Sequence, residues 1–263
     1  MTTYDVPDEI LVESDGPIRT ITLNRPDDLN ATNHVLHSGL AALFPQLDAD
    51  TGARVAVITG AGRAFCAGGD FSYIDELTRD TALRKQTLID GKAIVTGMVG
   101  CRVPIVAAVN GPAVGLGCSL VALSDVVFMA ESAHLADPHV LLGLVAADGG
   151  PVVWPLLTSL QLAKEYALTG ERIPAARAAE IGLVNHVCPD DEVLGQAREC
   201  ARRIASLPQG AVEDTKRVIN LHLERAVLAT IDYALAAEDR SFTSPELRAN
   251  LDRMMKRESR PAE

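Results

Sequence analysis

An uncharged stretch in the middle of the chain most limits the folds available to it. Residues 103–124 include no Asp, Glu, Lys or Arg, and this run of 22 residues is long enough to cross a bilayer. Asn110, Gly111 and Pro112 interrupt the run, and such a cluster marks a turn rather than the interior of a helix. We therefore predict a buried strand, a turn and a buried helix, and no membrane-spanning segment.

The balance of charge restricts the partners. The 263 residues include 24 Lys plus Arg and 35 Asp plus Glu, a net charge of −11. Nucleic acid and anionic membranes bind basic surfaces, so neither is expected as a partner. The first residues lack a basic region followed by an apolar core, which predicts no secretory signal and a cytoplasmic protein.

The pattern of cysteines also favours a cytoplasmic protein. They are scattered and form no Cys-x-x-Cys pair, so we expect reduced thiols rather than a disulfide framework or a metal site. The residues are Cys66, Cys101, Cys118, Cys188 and Cys200.

Predicted strands and helices alternate along the first part of the chain. This alternation predicts crossover connections, a parallel sheet and an α/β core over residues 1–190, followed by a helical region over residues 191–263. We expect the helical region to pack on the core or on a neighbouring subunit. Gly170 and Gly182 are predicted to end helices. The predicted strands are 18–24, 53–60, 104–111, 125–131 and 184–187, and the predicted helices of the core include 33–47, 73–99 in pieces and 114–125.

Two glycine-rich turns, at residues 59–69 and 111–120, each follow a predicted strand. Neither has the full GxGxxG pattern with an acidic residue about 20 positions further on, which argues against a nicotinamide cofactor. Where a strand stops and a helix begins, backbone N–H groups are free, and two such turns aimed at one point would stabilise a carbonyl oxygen that gains charge. The same glycines would also permit tight packing, and spacing alone does not separate these roles.

Motifs along nearly the whole chain resemble those of the crotonase superfamily, the enoyl-CoA hydratase/isomerase family, in that family's order and at its spacings. They are RPDDLNATN (25–33), AFCAGGDF (64–71), residues 104–131, and the series DPHVLLGLVAADGG, AKEYALTG and AEIGLVN within residues 137–185. The resemblance implies a spiral of repeated ββα units with C-terminal helices used for trimer assembly, often as a dimer of trimers.

The resemblance also implies that the thioester carbonyl of an acyl-CoA lies between two peptide N–H groups. These match Gly69 and Leu116. The second position is usually glycine in the family, so the Leu116 side chain must turn away from the substrate or narrow the pocket. No tightly bound cofactor is implied, since coenzyme A is part of the substrate. The expected substrate contacts are Ala67, Gly68, Asp70, Gly115 and Gly117.

Both glutamates that the family uses for hydration are absent. Ser119 and His139 occupy the corresponding positions, so a hydratase mechanism with two carboxylates is not expected. Asp148 follows His139, and a carboxylate hydrogen-bonded to an imidazole fixes its tautomer and raises its basicity. The alternative from the residues alone is that His139 satisfies a buried backbone group and Asp148 caps a helix near Gly149. The family position of His139 favours an acid/base role, with Ser119 holding a water or shaping the pocket.

The segment around His139 also resembles the β-diketone hydrolase branch of the superfamily, which is like 6-oxocamphor hydrolase and cleaves a C–C bond without CoA. His139 and Asp148 match catalytic residues of that branch, and Glu238 matches an acidic residue of its C-terminal helices. A second histidine of the branch is missing here, where the chain has Leu116 and Ser119. Glu238 also fits an exposed helix position.

A site for the CoA moiety is only partly indicated. The family often has a basic residue shortly after the first turn, where this chain has Ser72 and Tyr73. Lys256 and Arg257 resemble a C-terminal basic pattern and would meet a phosphate, or else form a solvated helix end. The other histidines are expected to be structural or solvent-facing: His34, His37, His134, His186 and His222.

We therefore hypothesise a cytoplasmic enzyme that stabilises an enolate of an acyl-CoA at the N–H groups of Gly69 and Leu116. His139, oriented by Asp148, would be its main acid/base. The alternatives are a CoA-independent β-diketone hydrolase acting on a small diketone, a non-catalytic acyl-CoA-binding protein, and a nicotinamide enzyme.

Overall fold

The computed structural model describes residues 3–258, which form two sheets surrounded by helices. The strands are β1 (Ile10–Asp15), β2 (Ile18–Leu23), β3 (Val55–Gly60), β4 (Ile105–Val109), β5 (Ala113–Val114), β6 (Val126–Ala130), β7 (His134–Ala136), β8 (Ile173–Pro174) and β9 (His186–Cys188). Six strands form the larger sheet in the order β1-β2-β3-β4-β6-β9, and β5-β7-β8 form the smaller one. From β2 to β9 the neighbours in the larger sheet are parallel, as the sequence predicted.

The helices begin where polar side chains can bind the free N–H groups of a first turn. Asn33, Asp70 and Asp80 accept such bonds at the starts of the first three helices. The helices are α1 (His34–Ala49), α2 (Phe71–Arg79), α3 (Thr81–Gly100), α4 (Leu116–Ala122), α5 (His139–Leu142), α6 (Gly150–Leu157), α7 (Leu160–Thr169), α8 (Ala175–Glu180), α9 (Val193–Ala205), α10 (Gln209–Ser241) and α11 (Pro245–Glu258).

The uncharged stretch forms the predicted buried strand, turn and helix. Every residue of β4 and α4 is buried. Between them, the Asn110 side chain accepts a hydrogen bond from the Gly60 N–H at 3.1 Å, which ties this turn to the end of β3. In residues 3–258, no helix combines the length and the apolar character needed to cross a bilayer.

The C-terminal helices pack on the α/β core. On α10, the Lys216 ammonium donates to the Val103 carbonyl at 2.9 Å and pairs with Asp125 at 2.7 Å. α9 covers one face of the large sheet, and α11 packs its Leu247 and Leu251 against α2. These contacts bring α10 and α11 to the side of the molecule that contains the cavity described below.

Three features were not predicted from the sequence. β1 pairs antiparallel with β2 and begins the large sheet, and the small sheet consists of short strands. The predicted strand 184–187 begins two residues later, at His186. Gly170 and Gly182 both have positive φ, at the end of α7 and directly after the last residue of the α8 cap, so both end helices as predicted. The five cysteines are buried free thiols.

Candidate active site

A cavity of about 230 Å³ lies among the two glycine turns, α5 and the helices α1, α2, α3 and α10. Most of its wall is apolar, and the polar side chains are few. Such a cavity with a small number of polar groups is the usual form of a small-molecule site. The predicted site residues that line it are Ala67, Gly68, Gly69, Gly115, Leu116, His139, Asp148 and Glu238.

Main-chain hydrogen bonds hold the two glycine turns side by side. The Val114 N–H donates to the Cys66 carbonyl at 2.8 Å, and the Cys66 N–H donates to the Pro112 carbonyl at 3.1 Å. The Gly115 N–H donates to the Ala136 carbonyl at 2.9 Å, which connects the second turn to the end of β7. The chain that leads to His139 therefore starts beside this turn.

Each turn contributes to the cavity wall one residue whose N–H group has no acceptor in residues 3–258. Gly68 and Gly115 have φ values of +93° and +53°, a backbone conformation that side-chain-bearing residues rarely adopt. The residues that follow them are Gly69 and Leu116, and neither N–H donates a hydrogen bond within the described residues 3–258. Leu116 is only 6% exposed, belongs to the main core and also lines the cavity.

His139 begins α5 and is held by a carboxylate that the sequence interpretation overlooked. Its Nδ1 lies 2.5 Å from Asp137 Oδ1, and Asp137 is 1% exposed. Its Nε2 lies 3.7 Å from Asp148 Oδ2, beyond hydrogen-bond distance. The expectation that Asp148 orients the imidazole by a hydrogen bond was therefore wrong. Asp137 orients it, and Asp148 faces the other nitrogen.

Asp148 is held in turn by Ser119. The Ser119 hydroxyl donates to Asp148 Oδ1 at 2.9 Å and accepts from the Gly150 N–H at 3.1 Å. Ser119 is fully buried and is not among the described residues that line the cavity, so it holds a carboxylate rather than a water or the pocket wall. Asp148 makes no side-chain cap on α6, whose first N–H groups lie next to the serine.

Burial and the neighbouring charges set the protonation of this cluster. Burial opposes a charge on His139, but the carboxylates of Asp137 and Asp148 outweigh it and raise its pKa to about 10. The imidazolium in turn holds the pKa of Asp137 below its usual range despite burial. Burial raises the pKa of Asp148, and it raises the pKa of Glu238 to about 8. The cavity therefore contains a cation and carboxyl groups that bind protons more tightly than usual.

Two predicted substrate contacts lie elsewhere. Asp70 caps α2 by accepting from the Ser72 N–H at 3.0 Å, and it pairs with Arg25 at 3.3 Å. At Gly117, an added Cβ would lie 2.5 Å from the Cys66 carbonyl oxygen, so this glycine permits close packing of the two turns. Neither is among the described residues that line the cavity.

The predicted CoA contacts lie near the C-terminus. Lys256 is exposed on α11, and Met254 on the same helix lines the cavity. The backbone of Arg257 lies in α11, but its side chain is outside the described part of the structure.

Two sets of residues were missed. Asp137 precedes His139 by two positions, and this spacing could have identified it as a partner of the imidazole. His37, expected to be structural or solvent-facing, is buried in the cavity wall with Tyr73 and Thr87. Only the helical spacing of His37 beside the apolar Leu36 and Leu40 could have suggested its inward position.

Asp137, His139 and Asp148 also lie close enough together to hold a metal ion. One ligand atom each from Asp137, His139 and Asp148 lies within 4.8 Å of the others. The contact between Asp137 and His139 has the length of a hydrogen bond, so this pair is held without an ion. The sequence predicted no metal, and that stays a prediction.

Comparison with known proteins identifies the family. A family model described as Enoyl-CoA hydratase/isomerase matches residues 13–260. A crystal structure of an enoyl-CoA hydratase/isomerase from Mycobacterium paratuberculosis is 63% identical with a TM-score of 0.93, covering 95% of this chain and 100% of that one.

Two curated relatives extend the similarity. "Probable enoyl-CoA hydratase echA8" of Mycobacterium bovis is 34% identical over 92% of this chain and 90% of its own length. "Short-chain-enoyl-CoA hydratase" of Clostridium acetobutylicum is 32% identical over 89% of this chain and 87% of its own. The chain therefore belongs to the enoyl-CoA hydratase/isomerase family of enzymes, within the crotonase superfamily.

Proposed function

We propose that this enzyme stabilises the enolate of an acyl-CoA thioester and moves a proton at the carbon next to the thioester carbonyl. The observation that carries the proposal is that one apolar cavity contains two unpaired N–H groups, from Gly69 and Leu116, together with His139 and Asp148. Lyase and isomerase reactions of acyl thioesters share this enolate step.

The two N–H groups would bind the thioester oxygen. Both belong to residues that follow a glycine with positive φ, and Leu116 is the first residue of α4, where the helix dipole favours negative charge. An enolate oxygen carries more charge than a thioester carbonyl, so these donors would stabilise the intermediate more than the substrate. Loss of one such donor typically costs about 10²–10³ in rate.

His139 and Asp148 would move the protons. With its pKa raised to about 10, His139 is an imidazolium at neutral pH and can donate a proton to the enolate carbon. Asp148 lies 3.7 Å from Nε2 and can accept the proton that water or the substrate loses. His139 as proton donor and Asp148 as proton acceptor would then replace the two glutamates that the family uses for hydration.

The CoA moiety would extend from the cavity toward α11. Met254 lines the cavity, and Lys256 lies two residues further along that helix, exposed where a phosphate can approach. Arg257, the next residue, is the second candidate contact. We place the reaction in acyl-CoA metabolism.

The proposed assembly is a homotrimer or a dimer of trimers. Large apolar side chains are exposed on α6, α7 and α10, including Leu160, Leu168, Leu228 and Tyr233. Burial of such side chains between subunits is favourable. The buried free thiols also support the cytoplasm as its location. Analytical ultracentrifugation would show a single species at three or six chain masses, and a monomer would contradict the assembly.

The enolate step can be measured without knowing the reaction direction. We would incubate the protein in D₂O with saturated, 2-enoyl, 3-enoyl and 3-hydroxyacyl-CoA esters and follow deuterium at the carbon next to the carbonyl by mass spectrometry. The wild-type protein should exchange this proton in at least one ester, and His139→Gln should abolish the exchange. His222→Gln, at an exposed position on α10, is the matched control and should exchange like the wild type.

The alternatives give different outcomes. If CoA esters bind but are recovered without deuterium or turnover, the protein is a non-catalytic acyl-CoA-binding protein. Unaltered exchange in His139→Gln would remove His139 from the mechanism. Fluorescence of a nicotinamide cofactor on mixing would support the nicotinamide alternative.

A second candidate function is CoA-independent cleavage of a β-diketone. Glu238, the third residue matched in that resemblance, lines the same cavity as His139 and Asp148, and this favours keeping the candidate. Calorimetry separates the two: absence of CoA-ester binding at millimolar concentration, with cleavage of a cyclic diketone, would favour the hydrolase.

A further inference from the structure

His37 is a polar group in the cavity wall that the proposed chemistry leaves unused. It lies on α1, is 8% exposed and lines the cavity. Neither ring nitrogen forms a hydrogen bond within residues 3–258, and Nδ1 is fully buried without a partner. Burial lowers its pKa to about 4 although the charge of Asp90 opposes this shift, so the ring is neutral at pH 7. A neutral imidazole offers one N–H donor and one acceptor.

A second unused polar group is the Tyr73 hydroxyl. The Thr87 hydroxyl donates its only proton to the Leu83 carbonyl at 2.9 Å. Both contacts can be hydrogen bonds at the same time only when the Tyr73 hydroxyl donates to Thr87, across the 2.5 Å between the two oxygens. Tyr73 then keeps an oxygen that can only accept. Both residues line the cavity, and burial raises the pKa of Tyr73, so the phenol stays protonated.

Helix α3 contacts both of these groups. Thr87 and Gly91 are four residues apart and thus neighbours on one helix face. Tyr73 contacts Thr87, and the His37 ring lies against Gly91, where an added Cβ would be 3.9 Å from Cε1. The cavity thus has a neutral polar wall made by α1, α2 and α3, on elements other than those that hold His139.

We propose that His37 and Tyr73 form a subsite for a hydroxyl group on the acyl chain of the substrate, beyond the carbons that react. A hydroxyl both donates and accepts, so it can donate to the Tyr73 oxygen and accept from the His37 N–H. A plain alkyl chain leaves both groups unpaired in an apolar wall, which costs binding free energy. The proposal rests on the proposed function, because it assigns the class of acyl-CoA: one with an oxygen function remote from the thioester.

The test compares the affinities of matched ligands for the full-length protein. Calorimetry would measure hexanoyl-CoA, 5-hydroxyhexanoyl-CoA, 6-hydroxyhexanoyl-CoA and 5-oxohexanoyl-CoA. We expect at least one hydroxy ester to bind about tenfold more tightly than hexanoyl-CoA, and the oxo ester, which only accepts, to bind less tightly than the best hydroxy ester. Tyr73→Phe and His37→Phe should each bring the ratio of hydroxy to alkyl affinity close to one.

The controls separate the possible failures. His222→Asn, exposed on α10, should keep the wild-type ratio, and thermal melting would check that each variant is folded. Equal binding of hydroxy and alkyl esters would overturn the subsite and leave the proposed function standing. A preference for the hydroxy ester that survives Tyr73→Phe and His37→Phe would also overturn it. If none of the CoA esters binds, the proposed function itself fails.

Discussion

His139 and His37 line the same cavity, but at neutral pH the first is positively charged and the second is neutral. Asp137 and Asp148 raise the pKa of His139 to about 10 against the effect of burial, whereas burial lowers the pKa of His37 to about 4. Both side chains are largely removed from water, so burial alone does not explain the difference. A carboxylate also lies near each ring.

The difference comes from how each carboxylate is placed. Asp137 Oδ1 lies 2.5 Å from His139 Nδ1, while the carboxylate of Asp90 accepts from the Gln86 amide at 2.8 Å and makes no hydrogen bond to His37. A carboxylate in direct contact stabilises an imidazolium far more than one held by another partner. One cavity can therefore contain one charged histidine and one neutral histidine.

The largest effect is expected when the two histidines are replaced in turn. His139→Gln should lower kcat by about 10²–10⁴, because it removes the proton donor. His37→Gln should change kcat by less than about tenfold and act mainly on KM, because a binding group contributes to the ground state as well. Steady-state kinetics on the ester that exchanges deuterium would measure both.

A similar loss of kcat in both variants would contradict the separation of roles. The exposed His222→Gln serves as control for a change of histidine to glutamine on a helix. Circular dichroism would confirm that the folded content of each variant is unchanged.

The next largest effect tests whether the contact with Asp137 is what raises the pKa of His139 above that of His37. Asp137→Asn keeps the shape but removes the charge, so we expect the pKa of His139 to fall and kcat to drop about 10- to 100-fold. The activity of the wild type should decline at high pH as the imidazolium loses its proton, and in the variant this decline should begin at least about one pH unit lower. The pH profile of kcat measures the shift.

Asp190→Asn is the matched control, because Asp190 is exposed and accepts from the Ser132 N–H at 3.1 Å, and neither residue lines the cavity. A variant that loses activity with an unmoved pH profile would show that Asp137 supports structure without setting the charge of His139.

The two histidines should also change how the free energy of unfolding depends on pH, and in opposite directions. The native pKa of His37 lies below its usual 6.5, so its contribution is full above pH 6.5 and is lost as the pH falls toward about 4. For His139 the native pKa lies above 6.5, so its contribution is full below pH 6.5 and is lost as the pH rises through about 10. Urea unfolding of wild type, His37→Asn and His139→Asn over this range would separate the two.

For His37 the expected change is about 1–2 kcal/mol in the free energy of unfolding between pH 7 and pH 5, absent in His37→Asn. His139→Asn should flatten the alkaline side instead. Parallel curves for wild type and both variants would mean that neither ring differs in pKa between the folded and unfolded states.

The sequence predicted the frame of this cavity better than its polar contacts. The uncharged stretch 103–124 predicted a strand, turn and helix because burial excludes charge over the whole segment. The two turns were predicted because clustered glycines after a strand mark a turn. Gly68 and Gly115 in these turns do adopt positive φ.

Most of these contacts depend on tertiary placement, which spacing does not encode; the contact of Asp137 with His139 is the exception, because these residues lie two positions apart. Asp148 was expected to bind His139, but Ser119 holds it, and Asp137 lies closer. His37 and Tyr73 belong to different helices that α3 brings together, so no local pattern pairs them. Gly117 was predicted to bind substrate because it belongs to a motif, although its close packing on Cys66 fully explains its small size.

The smallest effect is expected at Ser119, which holds Asp148 beside the charged His139. Ser119→Ala removes the donor to Asp148 and the acceptor of the Gly150 N–H, so both groups lose a buried partner. Because the serine hydrogen bond lowers the pKa of Asp148, its loss should raise that pKa further and move the acid side of the rate profile to higher pH. We expect kcat to fall about fivefold at pH 7 and to recover partly at pH 9. Ser206→Ala, exposed after α9, should leave the profile in place, and a uniform loss at all pH values would mean that Ser119 acts on packing alone.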